Sequence, residues 1–460
     1  MIKGFFTALV CILFLSLPAF SAGVPDTFGF GVRAMSLGGA FTAVADDYSA
    51  ALYNPAGLAR RTGNSATIEY LYASPDIEVE KTNGEDLILY SPNHQVRNDP
   101  TEYPGGSGLN LQIPIIGLVI DINDILNLPC NVQLGLATSL SENNDVLYRI
   151  HNFPPDQPHF FRYGNDISRL HLTVGLGVEV VPGLLYLGGG IKSLLYGDSR
   201  IYVDGLTPSD DPESEQVVGQ VKQAAILDHA PVAGIMFTPF NRKLSIGLSF
   251  REEQVVDIDP LANLIELDIA ETSLNIPLVL GMYSFFTPRQ YSFGIAYSFE
   301  KFMVSLEADF QQWSEYDYPE GEQLFYASDN PALADGTESG SPDFDDTINC
   351  RLGIEFKPGK NLSIMLGYCY QPTPIPDQSG RISNYLDMDK DIFSIGGSYM
   401  IAIPFWLHQP LTVAGVFQYQ LLHDYSVDKD GVKGISWENQ ESYRVSGNVY
   451  TGGVSLRFAW

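Results

Sequence analysis

A two-residue alternation of apolar and non-apolar side chains runs through the chain from Asn64 onward, and it limits the possible folds more than any other feature. Over residues 170–180, every even position is Leu or Val and every odd position is a polar residue or Gly. The alternation recurs at 244–251, 302–310 and 348–356. Because successive side chains of a strand point to opposite faces, each segment predicts a strand with one apolar face. We therefore expect an all-β protein.

The lengths of the connections decide between the possible β architectures. Short connections are expected at 182–183, 239–242, about Glu300, 358–361 and 404–408. Long polar ones are expected near 81–106, 147–166, 205–217, 258–275, 317–344, 372–388 and 425–440. A soluble sandwich also alternates, but strands joined tightly at one end and loosely at the other are typical of an up-and-down outer-membrane barrel. Residues 64–460 are thus predicted to form a transmembrane antiparallel β-barrel of about fourteen strands.

Prolines at three places weaken the strand prediction. Proline cannot donate a hydrogen bond to a neighbouring strand, so it is confined to edges, strand starts and bulges. We expect a bulge where a strand crosses Thr287 and Pro288, and interruptions of the first two strands at Pro75 and Pro114.

The first residues predict export. Residues 1–22 contain Lys3, an apolar run from Phe5 to Leu17 and small residues at Ser21 and Ala22, which is the layout of a secretory signal peptide. No later stretch approaches the roughly 18 uninterrupted apolar residues of a transmembrane helix.

Composition and motifs argue against several classes of function. The chain has 26 Lys and Arg against 55 Asp and Glu, a net charge of -29, so nucleic acid is not an expected partner. It contains no G-x-x-x-x-G-K-[ST], H-E-x-x-H or G-x-S-x-G motif, and its seven histidines are scattered. We expect no enzymatic activity, no cofactor and no metal.

The cysteines do not predict a disulfide. Beyond the signal peptide there are three, Cys130, Cys350 and Cys369. The last two lie on adjacent predicted strands but on opposite faces, so their sulfur atoms cannot meet.

Charged residues on the non-apolar face of the strands are expected to point into the lumen of the barrel. These lumen-facing candidates are Glu179, Lys192, Arg251, Glu307, Asp309, Arg351 and Glu355. They can form a satisfied polar interior, or some of them can serve as a gate or as contacts for a ligand head group. The acidic connection 317–344 is expected to be solvated or bridged to anionic lipopolysaccharide through divalent cations.

The segment between the signal peptide and the first strand resembles a known family. Residues 31–58 read GVRAMSLGGAFTAVADDYSAALYNPAGL, with an Asn-Pro-Ala motif at Asn54, Pro55 and Ala56. This is similar to the N-terminal hatch of the FadL/TodX family of outer-membrane transporters. Physically, Asp46 or Asp47 can cap a short helix ending at Tyr53, and Asn54 before Pro55 favours a turn that stops it. We interpret Asn54, Pro55 and Ala56 as hatch or gate residues; the alternative is that Asn54 and Pro55 only stop the helix.

The resemblance continues in order through the second half of the chain. The segments similar to the family are 308–314, 352–356, 366–368, 375–377 and 389–399. Between 64 and about 270 only barrel patterning is recognisable, and the head-group contacts of the family cannot be placed there.

The resemblance implies a barrel plugged by residues 23–63 that takes up long-chain fatty acids, hydrocarbons or other hydrophobic solutes. External loops would capture the solute, a lumen pocket would hold it, and a shift of the hatch would release it, with a sideways exit through the wall. The alternative is a FadL-like barrel that serves as a protein-binding or secretion accessory. A general aqueous porin is disfavoured because the hatch plugs the lumen.

The end of the chain predicts a contact with the outer-membrane assembly machinery. The last strand alternates through Val454, Leu456, Phe458 and Trp460, and Trp460 is the final residue. We interpret Phe458 and Trp460 as the assembly signal, within a barrel surrounded by outer-membrane lipids and lipopolysaccharide.

Removing the terminal aromatic ring should therefore impair assembly. Deletion of Trp460, or Trp460→Asp, is expected to lower the amount of heat-modifiable protein in the outer membrane, whereas Trp460→Phe should keep it. The measurement is the gel shift between heated and unheated membrane fractions. Normal levels of both damaging variants would contradict the assignment.

Overall fold

The computed structural model describes residues 24–81, 110–139, 159–160, 162–163, 170–204, 218–269, 272–316, 343–381, 385–402, 409–429 and 442–460. The predicted signal peptide and most of the acidic connection 317–344 lie outside these ranges.

The described chain is mostly strand, with a few short helices. The strands are β1 Ser65–Lys81, β2 Leu111–Asp121, β3 Val132–Ser139, β4 His159–Phe160, β5 Leu170–Val181, β6 Leu185–Asp204, β7 Val218–Phe237, β8 Leu244–Arg251, β9 Gln254–Ile269, β10 Thr272–Thr287, β11 Arg289–Ser298, β12 Phe302–Gln312, β13 Thr347–Phe356, β14 Leu362–Gln371, β15 Tyr385–Leu386, β16 Lys390–Ile401, β17 Leu411–Val427 and β18 Tyr443–Ala459. The α-helices are α1 Val24–Thr27, α2 Val32–Ser36, α3 Ala50–Tyr53, α4 Asn123–Leu126 and α5 Pro239–Arg242, and 3₁₀ helices span Pro55–Arg60 and Trp313–Glu315.

Fourteen strands form one closed antiparallel barrel, as the sequence predicts. Their order is β1-β18-β17-β16-β14-β13-β12-β11-β8-β7-β6-β5-β3-β2. The barrel closes where β1 pairs with β18, from Ser65 opposite Ala459 to Lys81 opposite Tyr443. The backbone of Trp460 then exchanges two hydrogen bonds with Asn64, of 3.1 and 3.2 Å. No helix among the described residues has the length and apolarity needed to cross a membrane.

The faces of the strands have the polarity of a membrane barrel. On β12, Leu306 is 52% exposed, whereas Asp309 is 1% exposed. On β13, Ile348 is 55% exposed and Asn349 is 0% exposed. A soluble sandwich would bury the apolar face instead, so the outward face is built to contact lipid. Cys350 is accordingly exposed and Cys369 buried, which confirms that they lie on opposite faces; both are free thiols, as is Cys130.

The connections follow the predicted asymmetry. One end of the barrel carries the long connections, and the other end carries the short ones together with both ends of the barrel sequence. A sixth short connection, residues 122–131 with helix α4, was not in the predicted set. We refer to the end with the short connections as the periplasmic end.

The three proline predictions were wrong. β1 continues through Pro75 and β2 through Pro114. Pairing of β1 with β2 stops at Ala73, before Pro75, and pairing of β2 with β3 starts at Ile115, after Pro114. Each proline is therefore paired with a described strand on one side only, and its missing N–H can face the unpaired side.

At Pro288 the chain breaks into two strands rather than bulging. β10 ends at Thr287 and β11 begins at Arg289, while β8 pairs directly with β11. β9 and β10 pair with each other in a separate two-stranded sheet. A second small sheet joins β4 and β15 in parallel.

Residues 24–63 lie inside the barrel and are called the hatch here. Its helices α1, α2 and α3 and the 3₁₀ helix Pro55–Arg60 are short, and most of its side chains are buried. Gly38 and Gly39 end α2 with φ angles of 63° and 77°, a left-handed conformation that favours glycine.

Glycines of the barrel wall contact the hatch. At eleven described positions on the lumen face, a Cβ atom would lie 3.0 Å or less from a hatch atom; these are Gly117, Gly135, Gly175, Gly177, Gly188, Gly234, Gly247, Gly294, Gly353, Gly367 and Gly396. We call this set the glycine seat. Because these positions lack a side chain, the hatch packs directly against the backbone of the strands.

Filling one position of the glycine seat should displace the hatch without destroying the barrel. A Cβ at Gly188 would collide with the backbone of Pro55 and Ala56, whereas one at the adjacent Gly189 has no neighbour nearer than 3.9 Å. Overpacking of this kind typically costs about 1–3 kcal/mol. Gly188→Val is therefore expected to make the hatch more sensitive to protease, while Gly189→Val behaves as wild type. Equal proteolysis of the two variants would argue against the glycine seat.

Candidate functional site: the hatch and its contacts with the wall

Asn54 attaches the hatch to itself and to the wall. Its side chain is 0% exposed, and its Nδ2 donates to the carbonyl oxygens of Thr42 at 2.9 Å and Ile235 at 3.2 Å. Its Oδ1 accepts from the amide of Ala56 at 3.2 Å. One amide group therefore joins two hatch segments to β7.

Pro55 and Ala56 continue the motif. Pro55 occupies the first turn of the 3₁₀ helix, where its missing N–H is not needed. Helix α3 ends at Tyr53, as predicted. Asp47 rather than Asp46 lies at its start, where its Oδ1 accepts from the amide and hydroxyl of Ser49 at 2.9 and 2.6 Å.

Asp46 holds two arginines within the hatch. Its carboxylate oxygens contact Arg33 at 2.6 Å and Arg61 at 2.8 Å. Burial alone would raise the pKa of Asp46, but the two guanidinium groups outweigh that effect and hold the pKa well below its ordinary value. Asp46 thus stays ionised.

Glu355 extends this charge pairing to the wall. Arg33 contacts its Oε2 at 3.2 Å, and Lys357 contacts the same oxygen at 3.2 Å. The hydroxyl of Ser363 donates to its Oε1 at 2.6 Å. Residues near the periplasmic end of β13 are thereby bound to helix α2.

A second group of predicted residues binds the middle of the hatch. Arg351 contacts Asp309 at 2.6 Å and donates to the carbonyl oxygen of Gly38 at 3.2 Å. Glu307 accepts from the amide of Thr42 at 2.6 Å and from its hydroxyl at 3.0 Å. The structure therefore brings together Glu307, Asp309, Arg351 and Glu355 along one side of the hatch.

The other three predicted residues are placed elsewhere. Arg251 contacts the carboxylate of Asp26, near the start of the hatch, at 3.4 Å. The buried Nζ of Lys192 donates to the hydroxyl of Thr287 at 2.8 Å.

Glu179 faces the periplasmic turn after β5. It accepts from the amide of Gly183 at 2.7 Å and from the hydroxyl of Tyr186 at 3.0 Å, and it pairs with Arg242 at 3.1 Å. Its described hydrogen bonds do not reach the hatch.

Several wall residues that contact the hatch were not predicted. Glu69 accepts from the amide of Val32 at 2.9 Å, and Gln420 donates to the carbonyl of Thr27 at 3.0 Å. Glu69 alternates with apolar Ile68 and outward-facing Tyr70, so its place on the lumen face could have been read from the sequence. Gln420 alternates with Tyr419 and Leu421 in the same way, so the same signal was available for it.

An aromatic cluster lies at the end of the barrel opposite the periplasmic turns. It consists of Phe286, Trp313, Tyr316, Phe344 and Tyr385. The guanidinium of Arg162 lies 5.0 Å from the ring centre of Trp313. We call these five aromatic residues the external aromatic cluster.

The external aromatic cluster connects with the hatch through buried charges. Arg162 and Lys390 both contact Asp387, at 3.3 and 3.5 Å. Lys390 also donates to the hydroxyl of Tyr163 at 2.9 Å, and the ring of Tyr163 packs edge-on against Phe28. A continuous set of contacts thus joins the external side to the first residues of the hatch.

Comparisons with known proteins agree with this architecture. No family model matches the chain. Alkane uptake protein A of Marinobacter nauticus is 22% identical over 427 residues, which cover 90% of this chain and 86% of that protein. A FadL homologue from Pseudomonas aeruginosa superposes with a TM-score of 0.54 at 17% identity, covering 96% of this chain and 98% of the other. The chain has a FadL-like β-barrel fold.

The toluene transporter TodX of Pseudomonas putida has the same fold. It superposes with a TM-score of 0.52 at 13% identity and covers 95% of this chain and 99% of its own. At these identities the solved FadL-like structures establish the fold, and the solute is a separate question. No group of three or more His, Cys, Asp or Glu that could hold a metal occurs among the described residues.

Neutralising Asp46 should loosen the hatch in a pH-dependent way. Hydrogen bonds to charged groups contribute about 1.5–3 kcal/mol, so Asp46→Asn should lower the free energy of hatch opening by about that amount at pH 7. Because the folded-state pKa of Asp46 is depressed, its contribution is complete above the unfolded-state pKa of about 3.9 and is lost as the pH falls through the folded-state value.

Hydrogen exchange of residues 24–63 measures this effect. Exchange in Asp46→Asn should exceed wild type at pH 7, and the two proteins should converge only below about pH 3.9. Asp76→Asn, at an exposed position of β1, is the control and should match wild type. No difference at pH 7 would contradict the role of Asp46.

Proposed function

We propose that the protein takes up hydrophobic solutes across the outer membrane. The observation that carries this proposal is a closed barrel whose lumen is filled by a hatch bound through both backbone contacts and ion pairs. A lumen plugged in this way does not suit free passage of water-soluble molecules. The alkane uptake protein and the toluene transporter support a transport role, and they favour it over an enzymatic one.

The proposed pathway begins at the external aromatic cluster. The five rings are buried against one another, so an apolar solute binds there by inserting among them, and its burial contributes about 0.8 kcal/mol per methylene group. The solute then meets the hatch near Phe28, which packs against Tyr163. Release requires the hatch to leave part of its position in the lumen. Long-chain fatty acids and hydrocarbons are the proposed solute classes.

The alternative role, as a protein-binding or secretion accessory, receives no support from the relatives. The polar connection 317–344, a long loop of the kind that would suit such a role, lies for the most part outside the described residues.

Uptake by whole cells tests the proposed function. Cells that lack the protein should accumulate a labelled long-chain alkane or fatty acid more slowly than cells that produce it. Accumulation of a small hydrophilic sugar should be unchanged, because the hatch blocks an aqueous route. If cells with and without the protein accumulate every tested hydrophobic solute equally, the proposal is contradicted.

Asn54→Ala tests whether the hatch controls this uptake. The change removes three buried hydrogen bonds, and each typically contributes about 0.5–1.5 kcal/mol. We expect the barrel to stay heat-modifiable at normal abundance while uptake of the transported solute changes by severalfold.

Asn448→Ala is the matched control, since Asn448 bonds to Tyr419 of the wall and not to the hatch. Uptake equal to wild type in Asn54→Ala, at equal surface abundance, would defeat the assignment of Asn54 as a gate residue.

A further inference from the structure

A cavity of about 200 Å³ opens at the periplasmic end of the lumen. It lies between the hatch, at Val32 and Arg61, and the wall, at Met365 of β14 and Arg457 of β18. Its mouth includes the turn between β13 and β14. The cavity is on the opposite side of the hatch from the external aromatic cluster.

The charge of this cavity is opposite to that of the whole protein. Five cationic side chains line it, namely Arg33, Arg61, Lys357, Lys360 and Arg457, against the three carboxylates of Asp47, Glu69 and Glu355. The complete chain has 26 Lys and Arg against 55 Asp and Glu. A local excess of cations in such an acidic protein favours an anionic ligand.

Three of these cations already have carboxylate partners. Arg33 and Arg61 contact Asp46 at 2.6 and 2.8 Å, and Lys357 contacts Glu355 at 3.2 Å. For Arg457 and Lys360, no carboxylate lies within 4.0 Å in the part of the chain that the structure describes.

Arg457 is the cation best placed to bind a ligand. Its register partners on the two neighbouring strands are Thr67 and Thr412, which carry no charge. One terminal nitrogen lies 3.4 Å from the hydroxyl of Ser65, and the buried Nε has no hydrogen-bond acceptor among the described residues. A buried donor without an acceptor is costly, and a carboxylate would satisfy it with a charge-assisted bond.

The inner wall of the cavity is apolar. Met400 of β16 and Ala414 of β17 line the cavity and are half-buried, so they present apolar surface to it, and the fully buried Val32 and Met365 lie behind them. The cavity is smaller than the roughly 300–1,000 Å³ of pockets that enclose drug-sized molecules. It therefore suits a head group and a short length of alkyl chain rather than a complete long-chain molecule.

We propose that this cavity binds the carboxylate end of an alkyl-chain amphiphile, with Arg457 as the head-group contact and Met400 and Ala414 against the first methylene groups. Lys360 lies at the mouth and adds a second positive charge. The inference rests on the proposed function, because it assigns a carboxylate-bearing solute and a periplasm-facing binding step to the same lumen.

Equilibrium binding to the full barrel in lipid nanodiscs tests the proposal. The probes are octanoate, octyl phosphate and 1-octanol, which share one alkyl chain and differ in the head group. Wild type should bind octanoate at least tenfold more tightly than 1-octanol, and added salt should weaken octanoate binding. Arg457→Gln should weaken octanoate binding about tenfold and leave 1-octanol unchanged, while Arg457→Lys should restore part of the affinity.

Arg444→Gln is the control, because Arg444 lies on the same strand but pairs with Asp424 away from the cavity. It should bind octanoate within twofold of wild type. If Arg457→Gln does not assemble, Lys360→Gln and the salt dependence of wild type test the same charge effect, with a loss of about threefold expected for Lys360→Gln.

Equal octanoate binding by wild type and the cavity variants would overturn the proposal, as would equal affinity for octanoate and 1-octanol. Arg457-dependent binding of octyl phosphate without binding of octanoate would overturn the carboxylate assignment and indicate a phosphate head group. The assay needs no transport, so cells that fail to take up solute while octanoate still binds would count against the proposed function and not against this site.

Discussion

Closure of the backbone hydrogen-bond ladder is the constraint on which the rest of the structure depends. Lipid offers no partner for an exposed N–H or C=O group, so a sheet within the membrane must have no open edge. β1 and β18 meet this requirement by pairing along the entire length of both strands, and Asn64 and Trp460 complete the seam. Once the barrel is closed, strand alternation gives the apolar side chains to the lipid and leaves the polar ones and glycines facing one another across the lumen.

The hatch fills this lumen by two different kinds of contact. On β5, β6 and β7 it packs against wall glycines, and Asn54 adds a hydrogen bond to the backbone. On β12 and β13 the contacts also include charged groups, with Glu307, Arg351 and Glu355 binding the hatch. Backbone packing depends on shape and is insensitive to pH or salt, whereas the charged contacts depend on both. A change in pH or salt can therefore weaken the charged contacts with β12 and β13 but not the packing against β5, β6 and β7.

The sequence predicts the barrel well because alternation and connection length are repeated many times, so single errors do not change the result. The errors occurred at prolines, where the outcome depends on whether a neighbouring strand extends that far, and at 258–275, which was predicted as a connection but lies largely in strands β9 and β10. Strand parity also predicts that Glu307, Asp309, Arg351 and Glu355 lie on the lumen face. Strand parity alone cannot distinguish these four residues from Glu179. Glu179 lies on the same face but bonds to a periplasmic turn, and whether a residue contacts the hatch depends on its position along the barrel axis. The glycine seat was missed for a related reason: Gly188 and Gly189 are adjacent in sequence, and only their opposite faces separate a hatch contact from a lipid contact.

Helix α2 separates two cavities in the lumen, one on its external side and one on its periplasmic side. A small cavity lined by Met35, Gly38 and Cys369 lies on the external side, and the periplasmic cavity lined by Val32 and Met365 lies on the other. On β14, Gly367 stands between Met365 and Cys369, and it packs directly against Gly38. On β16, Gly396 packs in the same way against Ser36. The barrier between the two cavities is thus the end of α2 resting on two wall glycines, held also by the hydrogen bond from Arg351 to the carbonyl oxygen of Gly38. Because the Asn54 contact with β7 lies outside this barrier, separation of α2 from β14 and β16 does not require that contact to break.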